Sequence, residues 1–302
     1  MRSLHLALVL AAAATALPAA AQPPVVGGTE QVAFDRPEAW AMAYFGSIAQ
    51  LTSFGAPSSR EPWSLEIGLE LAGVPRLDEE QRRVGFNGTK VEDLNRVPVL
   101  VRPRLTVGLP GRFTAELAWL PPVEINGMRT SLFSLGIGRP LVERTAWSLG
   151  VRAFGQTGTS RGDLTCTAED ASFPPGEPGN EFGCEAPSHD TASLDHLGVE
   201  LVGGWRPSWL GGGALHLGVA RVWHELEFQV DALTFGYRDR TRLVTDGRTT
   251  SVTAGASFPV AERVRLSGEL YWVPLEVRRG PGAPTTRDDL VTLRAMLSTT
   301  LR

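Results

Sequence analysis

Two sets of residues in this 302-residue chain could do chemistry. The first is a group of histidines beside carboxylates: His189-Asp190, Asp195-His196 and His224-Glu225. A neutral imidazole near a carboxylate can accept a proton from water or a hydroxyl, so such pairs suit general-base hydrolysis. Ser188, next to His189, invites a lipase-type reading, but adjacency in sequence does not supply the geometry that a nucleophile and its base need. The plainer alternative is that these are the polar residues of an ordinary surface rim. The second set is a series of charges on one parity of alternating segments: Glu66, Glu70, Glu116, Glu200 and Glu269 against Arg102, Arg104, Arg152, Arg265 and Arg294. The signs balance. Charges so placed must be paired or hydrated, which fits a lattice of ion pairs or, alternatively, a polar conduit. Gly-rich phosphate loops, paired CxxC motifs and HExxH are absent from the sequence, so no cofactor and no metal are expected. A net charge of −4 with scattered basic residues argues against nucleic acid as a partner.

The elements that must position these residues read as strands. In 291–301, Val291, Leu293, Ala295, Leu297 and Leu301 share one parity, while Thr292, Arg294, Ser298 and Thr300 share the other. Side chains alternate faces along a strand, so this is a ribbon with one apolar and one polar side. The pattern recurs and predicts about ten strands, at approximately 63–73, 96–109, 112–120, 129–139, 145–157, 194–206, 213–229, 241–258, 262–277 and 288–301. Their connections alternate. Short turns at Pro110-Gly111, 140–144, 207–212 and 259–261 take turns with longer loops at 74–95, 121–128, 158–193, 230–240 and 278–287. On the apolar parity, Trp63, Phe113, Trp147, Trp205 and Phe258 fall near the short-turn ends, and Trp119, Trp223 and Trp272 near the others. An apolar outside between two aromatic levels and a polar inside is the pattern of a barrel in lipid. A soluble sandwich would not sort its aromatics in this way. The expected fold is therefore all-β: a closed antiparallel transmembrane β-barrel of about ten strands, with eight or twelve as alternatives.

Three further features complete the layout. Residues 1–21 read as a secretory leader: Arg2, an apolar run from Leu4 to Ala14, and Ala19-Ala20-Ala21 as the cleavage site. Cys166 and Cys184, alone in a Gly/Pro/acid-rich segment of an exported chain, are expected to form a disulfide. Asp35-Arg36-Pro37-Glu38 has the makings of a helix start, with Asp35 as N-cap, and Gly55-Ala56-Pro57 the makings of an end. Trp40, Tyr44, Ile48 and Leu51 follow at helical spacing, and Met42, Phe45 and Ala49 make the other faces apolar too. A helix apolar all round must be buried or must bind something. Residues 22–60 thus form a periplasmic or plug segment and 61–302 the barrel, with both ends of the exported chain expected in the periplasm.

On these features the chain resembles Gram-negative outer-membrane β-barrel proteins over roughly 60–302. The segment 35–54 is similar in position to the plugs of fatty-acid-transporter-type barrels, although those have more strands. The class usually ends in an aromatic residue, whereas this chain ends in Leu301-Arg302. The resemblance implies outer-membrane lipid, lipopolysaccharide and the barrel assembly machinery as partners. The expected function is structural or the uptake of a small, apolar ligand past the plug helix. Two alternatives stand beside it: a rim hydrolase, since omptin-type proteases are ten-stranded and use acidic residues and histidines at the rim, and an adhesion barrel using the disulfide loop 158–193. Arg161, Arg238, Arg240, Arg242, Arg278, Arg279 and Arg287 gather on the long-loop side. They would suit lipopolysaccharide phosphates, with an ordinary solvated rim as the favoured alternative.

Overall fold

A computed structural model describes residues 22–280 and 282–301; the leader read at 1–21 lies outside them. Ten long strands carry the fold: β1 Leu65–Gly73, β2 Val99–Leu109, β3 Phe113–Leu120, β4 Met128–Glu143 and β5 Trp147–Gly162, then β6 Asp190–Trp205, β7 Ala214–Gln229, β8 Arg242–Ala261, β9 Val264–Val273 and β10 Leu290–Thr300. Each pairs antiparallel with its chain neighbours. The last pairs with the first, from Arg294 opposite Ala72 to Thr300 opposite Glu66, so the sheet closes and leaves no edge. No described helix is long and apolar enough to cross a membrane.

The period-two pattern decides what faces where. Leu293 is 71% and Leu197 61% exposed on the outer face, whereas their neighbours Arg294 and His196 are 3% and 6% exposed within. Trp147 and Trp205 stand opposite one another at the short-turn end of β5 and β6, with Phe258 exposed at that end of β8. Trp119 and Trp223 are exposed nearer the long-loop end, and the Trp272 indole there donates to Asp289 Oδ2 at 2.9 Å. In barrels of this kind the short turns face the periplasm and the long loops the outside.

Several boundaries differ from expectation. Pro140 and Pro259 were expected in turns, but β4 and β8 run through them. Pro140 sits opposite Gly150 and Pro259 opposite Arg265, each beside a register shift, and such a bulge spares the ladder the N–H that proline lacks. At the other end β5 and β6 extend outward to Gly162 and Asp190, which shortens the disulfide loop to 163–189.

The N-terminal segment departs furthest. Helix α1 spans Pro37–Ile48, so it stops well before Gly55, and Leu51 lies beyond it. Asp35 does not cap it. Arg36 holds the N-cap position without a side-chain cap, and the Asp35 carboxylate instead accepts from Arg278 and from Thr285 Oγ1. Residues Thr29–Gln31 pair in parallel with Arg242–Val244 at the long-loop end of β8, and Val25–Val26 pair with Arg238–Asp239 in the adjoining loop. The segment 22–36 is therefore at the outer end of the barrel, not the periplasmic one. Helix α1 packs Trp40, Tyr44 and Ile48 in one cluster with Leu132 of β4, Leu194 of β6, Leu226 of β7 and Leu290 of β10, which are inward residues of four walls. The chain thus enters the lumen from the outer mouth and threads it downward to reach β1.

Candidate functional site

The centre of the lumen is a clamp on the threaded chain. Past α1 the chain runs without regular secondary structure from Gln50 to Pro57, and the inward arginines bind carbonyls of the helix end and of this segment. Arg294 donates to the oxygens of Ser47, Ile48 and Gln50 at 2.8 to 3.1 Å. Arg102 donates to Ala49 and Gln50, Arg104 to Thr52 at 2.7 Å, and Arg152 to Leu51 at 3.3 Å. The last turn of a helix has carbonyls without partners and a partial negative charge, so guanidinium groups there satisfy both. The carboxylates hold the arginines in turn. Glu70 takes Arg102 in a fork at 2.7 and 2.9 Å and reaches Arg104 at 3.2 Å. Glu116 bridges Arg104 and Arg152, and Glu200 accepts from Arg152. Glu269 accepts from Thr52 Oγ1 and lies 4.0 Å from Arg294 and 3.5 Å from His216 Nε2. Gln50 completes the hold, donating to Ser251 Oγ and accepting from Tyr271 Oη.

Eight of the ten expected lattice residues meet in this network. Glu66 instead binds Arg60 at 3.1 Å near the periplasmic mouth, and Arg265 reaches only Ser257 Oγ at 3.3 Å. The carbonyl partners were not foreseen, because a charge pattern gives no sign of main-chain oxygens. Below the clamp the chain leaves close against the wall. A Cβ on Gly150 would stand 2.6 Å from Pro57, and one on Gly204 2.3 Å from Ala56, so both strands need glycine there. Around this exit lies a polar vestibule of about 470 Å³.

Above the clamp, in the outer half, is a second cavity, of about 490 Å³. Ala41, Met42 and Phe45 of α1 form one side of it, and Leu120, Leu132, Leu194 and Phe228 of the barrel another. Phe86, half exposed, also lines it and stacks on Phe182 with centroids 5.0 Å apart. Phe86 and Asn87 both have positive φ, 48° and 58°, a conformation that costs energy outside glycine and needs holding. The Asn87 N–H is held by Glu38 Oε1 at 2.6 Å. Nearby, burial pushes the Glu92 carboxyl up to about 7; Lys90 Nζ, 3.0 Å away, pulls against it, while Asp190 and Asp170 reinforce it.

The plug aromatics reach the outer loops. The Trp40 indole donates to the Asp288 carbonyl at 3.2 Å with the Arg279 guanidinium over its ring, and Tyr44 Oη donates to the Pro75 carbonyl at 3.2 Å. Cys166 and Cys184 are joined in a disulfide that packs on Val230 and Ala232.

The histidine-carboxylate pairs do not assemble. Alternation sends Asp195 and Glu225 to the outer face, opposite each other, while His196 and His224 meet edge to face inside with centroids 5.5 Å apart. His224 Nε2 lies 2.8 Å from Thr249 Oγ1. Ser188 donates to Asp190 Oδ2 at 2.7 Å and accepts from the Cys166 N–H, tying down the disulfide loop, while His189 is exposed. Most of the outer arginines already hold carboxylates: Arg238 and Arg240 pair with Asp231, Arg242 with Glu227, Arg278 with Asp35, Arg279 with Asp288 and Arg287 with Asp289.

No family model and no curated protein matches the chain. Solved structures similar in shape include an outer-membrane channel of Pseudomonas putida F1, at 9% identity and a TM-score of 0.45, covering 83% of this chain and 100% of that one. The outer-membrane protease OmpT of Escherichia coli is similar at 12% identity and 0.38, covering 79% and 92%. The toluene transporter TodX of Pseudomonas putida is similar at 11% identity and 0.36, covering 92% and 78%. At such low identity and TM-score these likenesses say nothing of cargo. The chain's own geometry decides the class: a closed ten-stranded barrel with an apolar outer band and a polar, plugged lumen is an outer-membrane β-barrel of the Gram-negative type.

Proposed function

We propose that this barrel takes up small apolar molecules, with the outer cavity as the loading site and the N-terminal segment as the plug. One observation carries the reading. Between α1 and the barrel wall, above a clamp built from ion pairs, a cavity of about 490 Å³ is walled in part by Met42, Phe45, Leu120, Leu132, Leu194 and Phe228. Its size falls in the range that small-molecule sites occupy, and its apolar wall, which also packs the upper plug, leaves this volume unfilled. The cavity ends at α1, so passage onward requires the clamped segment 47–57 to shift. In the same reading the leader is removed after Ala21, the assembly machinery inserts the barrel, and lipopolysaccharide surrounds its outer leaflet. N-terminal sequencing of the envelope protein should then begin at Gln22.

The test is binding of a small apolar fluorophore, N-phenyl-1-naphthylamine, to the folded protein held in amphipol. Fluorescence should rise saturably for the wild-type chain. Leu132→Trp, which fills the cavity, should lower affinity at least tenfold, with Leu194→Phe as a second filling variant, each checked for retained heat-modifiable migration. Binding unaffected by both substitutions would reject the cavity as the site.

A further inference from the structure

The polar groups of the outer cavity are unequal in sign. Carboxylates reach its wall from Glu30, Glu38, Glu92, Asp93 and Asp239; the guanidiniums there are those of Arg36 and Arg96. Both guanidiniums are already engaged. Arg36 is bound by Glu30 and by Glu38, the latter at 2.8 Å. Arg96 is bound by Asp93 at 3.0 Å and by Asp163. Lys90, the partner of the lining residue Glu92, is buried against that carboxylate and the Thr165 carbonyl. An anionic group entering this cavity would lose its hydration, find no free cation among the described residues of its wall and face an excess of carboxylates, each of which raises the cost. A hydrogen-bond donor would find the reverse, because an ionised carboxylate has acceptor sites beyond those its salt bridge uses.

We infer that the cavity selects by charge: its ligand is an apolar molecule whose polar end is an uncharged or cationic hydrogen-bond donor, an alcohol, phenol or amine, and not a carboxylate or sulfonate. This rests on the cavity being the loading site. The same wall explains why an apolar space at the outer mouth need not fill with anionic amphiphiles.

The experiment is displacement of N-phenyl-1-naphthylamine from the wild-type protein at pH 8 by 1-decanol, decylamine and decanoate, which share a chain length and differ in the head group. Decanol and decylamine should displace the fluorophore, and decanoate should need at least about a hundredfold higher concentration. In the double variant Glu30→Gln, Asp93→Asn each arginine loses one of its partners, so decanoate should improve about tenfold relative to decanol. Equal displacement by decanoate and decanol in the wild type would overturn the inference, as would a gap that the double variant leaves unchanged. Failure of the fluorophore itself to bind the wild-type chain would remove the loading site, a different result from either.

Discussion

The arginines of the lumen bind main chain as much as carboxylate, and this sets what each is worth. Arg102 is buried, forked onto Glu70 and bonded to two carbonyls of the plug, so Arg102→Ala strips a buried carboxylate of its main partner and frees two acceptors. Removing one partner of a buried pair costs about 3–5 kcal/mol. Urea unfolding of the reconstituted barrel should register that loss for Arg102→Ala and under about 0.5 kcal/mol for Arg265→Ala, whose side chain touches only a hydroxyl. Similar losses for the two would refute the clamp. Glu92 makes a pH prediction. Its folded-state pKa of about 7 lies above the ordinary 4.5, so between those values the folded chain holds a proton that the unfolded chain has released. Stability from this group is present at low pH and is lost as pH rises from about 4.5 to 7, by up to about 3 kcal/mol. Protection factors for hydrogen exchange in 83–92, which divide out the intrinsic rise of exchange with pH, should fall from pH 5 to pH 8, and Glu92→Gln should flatten that dependence. The sequence pattern identified eight of the clamp residues, because inward charges stand out on an alternating strand. It could not tell Arg294, which grips three carbonyls, from Arg265, which grips none, since carbonyls leave no mark in composition.

At the scale of elements, the strands were legible and the plug only in part. Lipid outside and a polar lumen inside impose a period of two, so about ten strands could be read from residue type, with eight or twelve left open. Pro140 and Pro259 misled because a bulge lets proline stay in a strand. Helix α1 showed its burial through apolar residues on every face, but its end could not be read: Leu51 continues the helical spacing while the backbone has already left the helix to meet the arginines. Trp40 and Tyr44 fasten the helix to the loops at Asp288 and Pro75. Replacing both with alanine should loosen the upper plug without touching the clamp, and liposomes carrying that variant should swell faster in a small sugar than those carrying the wild type. Unchanged swelling would mean that the plug does not limit flux.

For the whole molecule, the path of the chain matters most. The N-terminal strands sit at the outer rim and β1 begins at the periplasmic mouth, so the lumen is occupied along its length by the protein's own segment. Nothing in the sequence marks this, because three-residue pairings carry no period, and the wall of the cavity is assembled from strands far apart in the chain. Gly28 has open space around it. Gly28→Cys should therefore react with a membrane-impermeant maleimide on intact cells, where the two native cysteines are spent in their disulfide; labelling only after the outer membrane is broken would place that end in the periplasm.

The central claim is uptake of apolar molecules through the outer cavity, and its most direct test is the rate at which intact cells take up N-phenyl-1-naphthylamine. Cells displaying the wild-type barrel should brighten faster than cells without it, and cells displaying equal amounts of Leu132→Trp should fall back to the rate of cells without it. A Leu132→Trp rate equal to wild type, or a wild-type rate no greater than that of cells lacking the protein, would contradict the account.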